Sequence, residues 1–304
     1  MILKERTESK ELKLYRSLYA RGELSEEDRQ YYFNLEKGYE GELAFDRYLE
    51  TLSDDWLIVN DLFLRYNNTS FQIDSLLISH EMIYLFEIKN FEGDFYFEGD
   101  HWYTLSKREI SNPMLQLEKN LSLLRRLLLD WGYNYHFSEN LVFVNPEFFL
   151  YNAPLGKPII FPSQIERFLD RLNRKKPRNN SRDLKMAELL IVEHIADPPL
   201  LKVPKYDYES LRKGMVCGCC HSLSLEVQGR MLVCPKCGFT ENINSGILRA
   251  VEEYRMLFPE RKITTNDIFD WCKIIGYKKR IQRVLAENFE LKGYNKRAYY
   301  EVKD

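Results

Sequence analysis

Apolar positions along the chain change their period several times, and those changes outline its elements. Helical spacing over Lys4–Ala20 and again over Glu26–Leu52 predicts two helices broken by Arg21-Gly22-Glu23, with Ser25 as N-cap of the second. Trp56–Asn60 and Leu62–Arg65 read as strand, and Tyr66-Asn67-Asn68-Thr69 as a turn. Two apolar runs follow, Phe71–Ser79 and Met82–Asn90, on either side of His80-Glu81. Both are rich in Ile, Leu, Phe and Tyr and too short for helices, so they predict a β-hairpin. Phe91–Trp102, with Gly93, Gly99 and Asp100, predicts further short strands. A helix opens at Pro113 behind Asn112 and runs to about Trp131, with Leu117, Leu121, Leu124 and Leu128 as its core stripe. Leu141–Val144 and Pro158–Pro162 read as buried strands, Ser163 as the cap of a helix to Leu172, and Met186–Ala196 as a helix. Pro198, Pro199 and Pro204 then stiffen a linker.

Beyond the linker, Ser222–Val233 alternates like a hairpin around Gly229. Gly246–Phe258, Thr265–Ile274 and Lys278–Asn288 have helical spacing, and Phe289–Val302 reads as two strands around Gly293-Tyr294-Asn295. Three helices and a hairpin are the outline of a winged helix. The pattern divides the chain into an N-terminal helical region (1–35), an α/β domain (36–196), a proline-bearing linker (197–211), a small cysteine-bearing module (212–245) and a winged-helix-like α+β domain (246–304).

At 304 residues, 44% hydrophobic and 30% charged, the chain has the composition of a soluble globular protein with room for two domains. Its apolar runs fall short of the ~20 residues of a membrane span, and MILKERTESKELK lacks the apolar stretch of a signal peptide, so a cytoplasmic protein with no membrane partner is expected. The net charge of −2 hides local asymmetry: Arg171–Lys185 has seven basic residues against one acid, and Gly276–Tyr299 seven against two. The first stretch is either a flexible connector or a nucleic-acid contact, and a solvated surface is the default for any such patch.

The hairpin carries the chemistry. Alternation puts Ile83, Leu85, Glu87 and Lys89 on one face of the second strand and Tyr84, Phe86 and Ile88 on the other. An acid and a lysine ending an apolar face need a reason, because burying charge is costly. Asp74 lies on the partner strand within a few residues of them. Two carboxylates beside a lysine suit a hard divalent cation, with the Ile88 carbonyl as a further ligand at the same edge. Lys89 would orient or deprotonate a water, or stabilise charge on a phosphate. Glu42 is an exposed helical acid on the usual expectation, but it shares helical spacing with Phe45, Leu49 and Leu52, which favours a third acid of the same site. Gln116 lies off the core stripe of its helix and on its own reads as a surface amide.

Asp74 followed by Glu87-Ile88-Lys89 resembles the motif of PD-(D/E)xK nucleases, and the residues around it resemble their NERD branch, the nuclease-related domain. Lys37-Gly38-Tyr39-Glu40-Gly41-Glu42, Gln72-Ile73-Asp74, Phe86–Asn90 and Asn112-Pro113 with Gln116 match that family in order and spacing, over about residues 30–175. The resemblance implies a mixed sheet flanked by helices, a metal-dependent nuclease, and Gln116 and Glu42 in the active site.

Cys217-x-x-Cys220 and Cys234-x-x-Cys237, 13 residues apart, have the spacing of a zinc ribbon, with Cys219 and His221 as spectators and Cys272 a core thiol. Four thiolates close the coordination, so the zinc is expected to be structural. Lys278, Lys279, Arg280 and Arg283 on the third C-terminal helix, with Lys296 and Arg297 in the wing, are candidate nucleic-acid contacts. The expected function is a Mg²⁺- or Mn²⁺-dependent nuclease, acting on DNA ahead of RNA and targeted by its C-terminal modules. The alternative is a catalytically silent nucleic-acid binder or sensor.

Overall fold

A strand of β-branched and aromatic residues buried on both faces needs helices above and below it, and the N-terminal half is built that way. The computed structural model describes Met1–Asp304 except Glu23, Lys176, Asn179, Leu201 and Asp304, together with the side chain of Lys296. The elements begin with β1 (Ile2–Lys4), α1 (Lys10–Arg21), α2 (Glu26–Leu49) and β2 (Leu57–Tyr66). Next come β3 (Thr69–Ser79), β4 (Met82–Lys89), β5 (Gly93–Glu98), β6 (His101–Thr104) and β7 (Glu109–Ile110). Then follow α3 (Pro113–Asp130), β8 (His136–Phe143), β9 (Phe148–Tyr151), β10 (Ile159–Ile160), α4 (Ile165–Asn173) and α5 (Ser181–Val192). The remainder comprises β11 (Glu226–Gln228), β12 (Met231–Val233), β13 (Thr240–Asn242), α6 (Ile243–Leu257), α7 (Thr265–Cys272), α8 (Lys278–Asn288), β14 (Phe289–Lys292) and β15 (Tyr299–Val302).

These form two units. Met1–Glu8 and Asn34–Pro199 make one, Ser9–Phe33 and Leu200–Asp304 the other, so α2 contributes to both. In the first, a six-stranded mixed sheet has the order β1-β2-β3-β4-β8-β10. β2, β3 and β4 are antiparallel neighbours, whereas β1 joins β2, and β8 joins β4 and β10, in parallel. One face packs Leu76, Ile78, Ile83 and Leu85 against Leu117 and Leu124 of α3, Leu190 of α5 and Trp102 of β6. The other packs Leu77, Phe86 and Ile88 against Phe45 and Leu49 of α2 and Leu169 of α4. β7-β6-β5-β9 form a smaller sheet. The result is a mixed α/β unit with a mixed sheet flanked by helices.

Both tight turns of the central hairpins use paired left-handed residues, Asn67-Asn68 (φ 44° and 62°) and His80-Glu81 (φ 56° and 59°), which suits the twist of the strands they join. Asp183, buried at the start of α5, accepts hydrogen bonds from the His80 and Glu81 main-chain nitrogens (3.2 and 3.4 Å) and from the Tyr135 hydroxyl (2.7 Å). That end of the hairpin is thereby pinned.

Several boundaries differ from the sequence reading. The helix expected from Lys4 begins at Lys10, capped by Ser9, and Lys4 instead ends the strand Ile2–Lys4, where Ile2 and Lys4 pair with Ile58 and Val59 of β2. Ser163 lies inside a 3-10 turn, and α4 starts after it at Ile165. The helix expected from Met186 begins at Ser181, capped by Asn180, and ends at Val192, so it takes up part of the basic stretch 171–185; Lys176 and Asn179 of that stretch lie outside the described residues. In α3, Asn120 is buried where Leu121 was expected.

The second unit holds a three-stranded antiparallel sheet (β11-β12-β13), helices α6, α7 and α8, and the β14–β15 hairpin, which Tyr300 extends by a bridge to Ile263. Arg21 of α1 is fully buried within this unit: it pairs with Glu253 (2.8 and 2.6 Å), donates to the Gly214 carbonyl (2.9 Å) and lies 3.8 Å over the Trp271 ring.

Two glycines of α2 separate packing from propensity. A Cβ on Gly41 would lie 2.5 Å from Asn90 Cβ, whereas a Cβ on Gly38 meets nothing within 4 Å. Gly41→Ala is expected to lower stability by about 1–3 kcal/mol through overpacking, and Gly38→Ala to raise it by about 0.5–1 kcal/mol through helix propensity. Denaturant unfolding of both variants measures the contrast; equal effects would refute the close approach of α2 to the end of β4.

Candidate active site

The acids converge where the sheet loses its regularity. The β2–β3 ladder passes from Asn60↔Ser75 to Leu62↔Ile73, and Asp61 between them has φ 53°. Across this break both strands exchange faces: Ile73 and Leu76, three residues apart, pack on the same side of the sheet, as do Val59 and Leu62. The β3–β4 ladder stops at Ser75↔Phe86. One residue further, Asp74 takes over with its side chain, Oδ2 accepting from the Ile88 main-chain nitrogen at 2.7 Å. Asp74 is thus held against β4 by a charge-assisted hydrogen bond in place of a ladder bond.

On β4, Glu87 is 1% exposed and extends the Ile83–Leu85 face. Its Oε1 accepts from Lys89 Nζ at 2.7 Å, and Oε2 faces Asn120 Nδ2 at 3.4 Å. Lys89 also donates to Gln116 Oε1 at 3.1 Å. Gln116, exposed in the first turn of α3, is therefore joined to the hairpin. The Ile88 side chain packs into the opposite core, leaving only its main chain at this edge.

α2 brings Glu42 to the same end. Gly41 allows the approach, Asn90 Nδ2 donates to the Lys37 carbonyl at 2.7 Å, and the Phe45 ring meets that of Phe86 at 5.1 Å. Glu42 Oε2 accepts from Arg6 Nη1 at 2.8 Å. The Arg6 guanidinium also chelates Asp46 (2.9 and 3.0 Å) and donates through Nη2 to the Asp74 carbonyl (2.8 Å) and Ser75 Oγ (3.1 Å). Lys4, two residues earlier, donates to the Asn60 and Asp61 carbonyls at 3.0 and 2.7 Å. The N-terminal segment thus holds both strands at their break.

Burial and proximity set the electrostatics. Loss of solvent, followed by the neighbouring Asp74 charge, pushes Glu42 and Glu87 each from 4.5 up to about 8. Asp74 is raised by burial, against the opposing pull of Lys89, the Ile88 N–H and Arg6. Burial works against the Lys89 ammonium, but Glu87 and Asp74 outweigh it and hold its pKa above normal. Carboxylates raised together in this way gain most from an added cation, and oxygen donors suit a hard one.

Arg6, Asp46 and Asn120 were missed by the sequence reading. Asn120 was within reach: it sits three residues after Leu117 and four before Leu124, on the helix's buried stripe. Arg6 was not, because nothing local marks an arginine two residues beyond a three-residue edge strand as the partner of acids some 40 and 70 residues away.

In the second unit the Cys217, Cys220, Cys234 and Cys237 sulfurs all lie within 4.8 Å of one another. The pairs Cys217–Cys237 and Cys220–Cys234 are 3.7 and 3.6 Å apart. Four such thiols could hold a metal ion. Among the described residues it is these cysteines, and not Glu42, Asp74 and Glu87, that gather three or more ligand atoms within that distance. Cys219 is exposed, and burial in α7 pushes the Cys272 thiol up to about 12.

Of the basic candidates on α8, Lys278 and Arg280 bond within the protein, to Asn266 Oδ1 (2.9 Å) and Asn244 Oδ1 (3.1 Å), while Lys279 and Arg283 are exposed. Arg297 is exposed between β14 and β15; the Lys296 side chain lies outside the described residues. Among the described residues no helix is long and apolar enough to cross a membrane.

Residues 37–144 match the family model of the nuclease-related domain, NERD. The match begins at the α2 motif that meets Asn90 and ends just past β8, so it contains Glu42, Asp74, Glu87, Lys89 and Gln116 but not Arg6. No curated protein and no solved structure matches the chain.

The raised acids give a pH signature. A carboxyl whose folded pKa exceeds its unfolded value adds stability that is complete below about 4.5 and lost as pH rises through about 8. In chelator, the melting temperature of the wild type should therefore fall between those limits more steeply than that of Glu87→Gln, and Mg²⁺ should flatten the difference. Parallel curves would contradict the electrostatic coupling.

Proposed function

We propose that the first unit is a metal-dependent nuclease hydrolysing phosphodiester bonds. The reading rests on one observation: a buried Asp–Glu–Lys set at the frayed end of a β-hairpin, joined to Gln116, inside a nuclease-related domain. Asp74 and Glu87, with the Ile88 carbonyl, would hold Mg²⁺ or Mn²⁺, and Glu42 reaches the same end of the sheet from α2. The bound ion supplies an acidified water and offsets charge on the scissile phosphate. Asp74 is fixed by the Ile88 N–H, so its Oδ1 is the oxygen left to turn outward. Lys89, carried at the strand end by Glu87 and Gln116, can orient a water or stabilise an oxyanion. Glu87 keeps Lys89 protonated, which favours the oxyanion role.

The second unit is read as a grip on the substrate. Residues 212–245 would be a zinc ribbon with Cys217, Cys220, Cys234 and Cys237 as a closed structural set. Residues 246–304 would be a winged-helix-like domain presenting Lys279 and Arg283 of α8, with Lys278, Arg280, Lys296 and Arg297 at the margins, and 36–196 the nuclease-like domain. A helix reads a groove only where the groove admits it, and the deep, narrow major groove of duplex RNA does not, so DNA is the favoured substrate.

A cleavage assay with Mg²⁺ or Mn²⁺ tests the centre of this reading. Glu87→Gln should slow cleavage at least about 100-fold and leave the fold intact. Cleavage by that variant at the wild-type rate would sink the mechanism; nucleic-acid binding by a wild type that cuts nothing with either metal would leave a silent binder.

Metal analysis tests the second unit. Freshly purified reduced protein should carry about one tightly held zinc per chain, and Cys234→Ser should release it. Protein purified without zinc would overturn the ribbon.

A further inference from the structure

Arg6 lies outside the matched domain, yet it bonds to three of its acidic residues. Its side chain is 1% exposed, and the guanidinium is shared among Asp46, Glu42, the Asp74 carbonyl and Ser75 Oγ. A planar guanidinium chelated by one carboxylate and bonded to another is a poor candidate for displacement, because breaking a buried pair leaves charge uncompensated. The local charge is also telling. Glu42, Asp46, Asp74 and Glu87 meet two cations, Arg6 and Lys89, while Asp61 faces Lys4 at 3.7 Å. Two negative charges are left over when all four acids ionise, and one divalent ion matches them.

We propose that Arg6 is the resident cation of this site: it keeps Glu42 and Asp46 as its own counter-ions, so that the site takes a single divalent ion on Asp74 and Glu87. Arg6 is in this sense a positioning residue, holding Glu42 out of the coordination shell and the Asp74–Ser75 segment at the break of β3. The inference rests on the nuclease reading but is separable from it. It sets the number of ions and the role of Glu42, neither of which that reading fixes.

The test counts Mn²⁺ bound to zinc-loaded, full-length protein, by calorimetry and by the electron paramagnetic resonance of free Mn²⁺. The wild type should bind one ion. Glu42→Gln should bind one with an affinity within about threefold of wild type, whereas Glu87→Gln should lose at least about tenfold. Arg6→Gln should admit a second ion, and Arg6→Lys should restore a single one. Two ions in the wild type, a loss in Glu42→Gln equal to that in Glu87→Gln, or a single ion in a folded Arg6→Gln would each overturn the inference while leaving the nuclease reading in place. If Arg6→Gln does not fold, the Glu42→Gln isotherm decides alone. A wild type that binds no Mn²⁺ overturns both readings.

Discussion

Negative charge confined to one end of a buried sheet is the constraint on which the first unit depends. Glu42, Asp46, Asp74 and Glu87 cannot all ionise in a poorly solvated pocket without cations at contact distance, since burying an unpaired charge costs several kcal/mol. The chain supplies two of these cations itself. Lys89 comes from the strand that carries Glu87, and Arg6 from the first residues of the chain. Each is bonded to more than one partner, so each also fixes geometry.

The irregularity of the sheet follows from the same constraint. A perfectly paired hairpin would satisfy the Ile88 N–H with backbone and leave Asp74 no donor there. Because the ladder ends at Ser75↔Phe86, the Asp74 carboxylate receives that N–H, and Arg6 and Lys4 take up the carbonyls of Asp74, Asn60 and Asp61 at the break. The opposite end of the hairpin is held by Asp183 at the turn. Rigid pairing at one end and a side-chain-filled break at the other place charged groups on strands rather than loops, where position is well defined.

The two units also divide ligand chemistry. Oxygen donors from carboxylates at the sheet end suit hard cations that keep part of their water. The four sulfurs of the second unit could hold a softer ion, since thiolates suit such metals where carboxylates do not.

Much of this was legible in the sequence, because it is local. Period-two alternation put Glu87 and Lys89 on the face of Ile83 and Leu85, the His80-Glu81 turn set the hairpin, Asn112-Pro113 opened α3, and the two Cys-x-x-Cys pairs set their own distance. The resemblance to nuclease-related domains is borne out over residues 37–144. What the tertiary structure decided is non-local. Lys4, read as the start of a helix, ends a strand instead because β2 offers Ile2–Lys4 an edge, and the helical spacing after it carried no sign of that. The face exchange at Asp61 and Asp74 is invisible to an alternation rule that assumes an unbroken ladder. Glu42 reads as a third acid from its helical stripe, but whether it faces a metal or an arginine depends on a segment 36 residues away, which only folding brings to it. Sequence period fixes which face a side chain takes within its own element; which charge meets it there is set by chain segments whose approach no local pattern encodes.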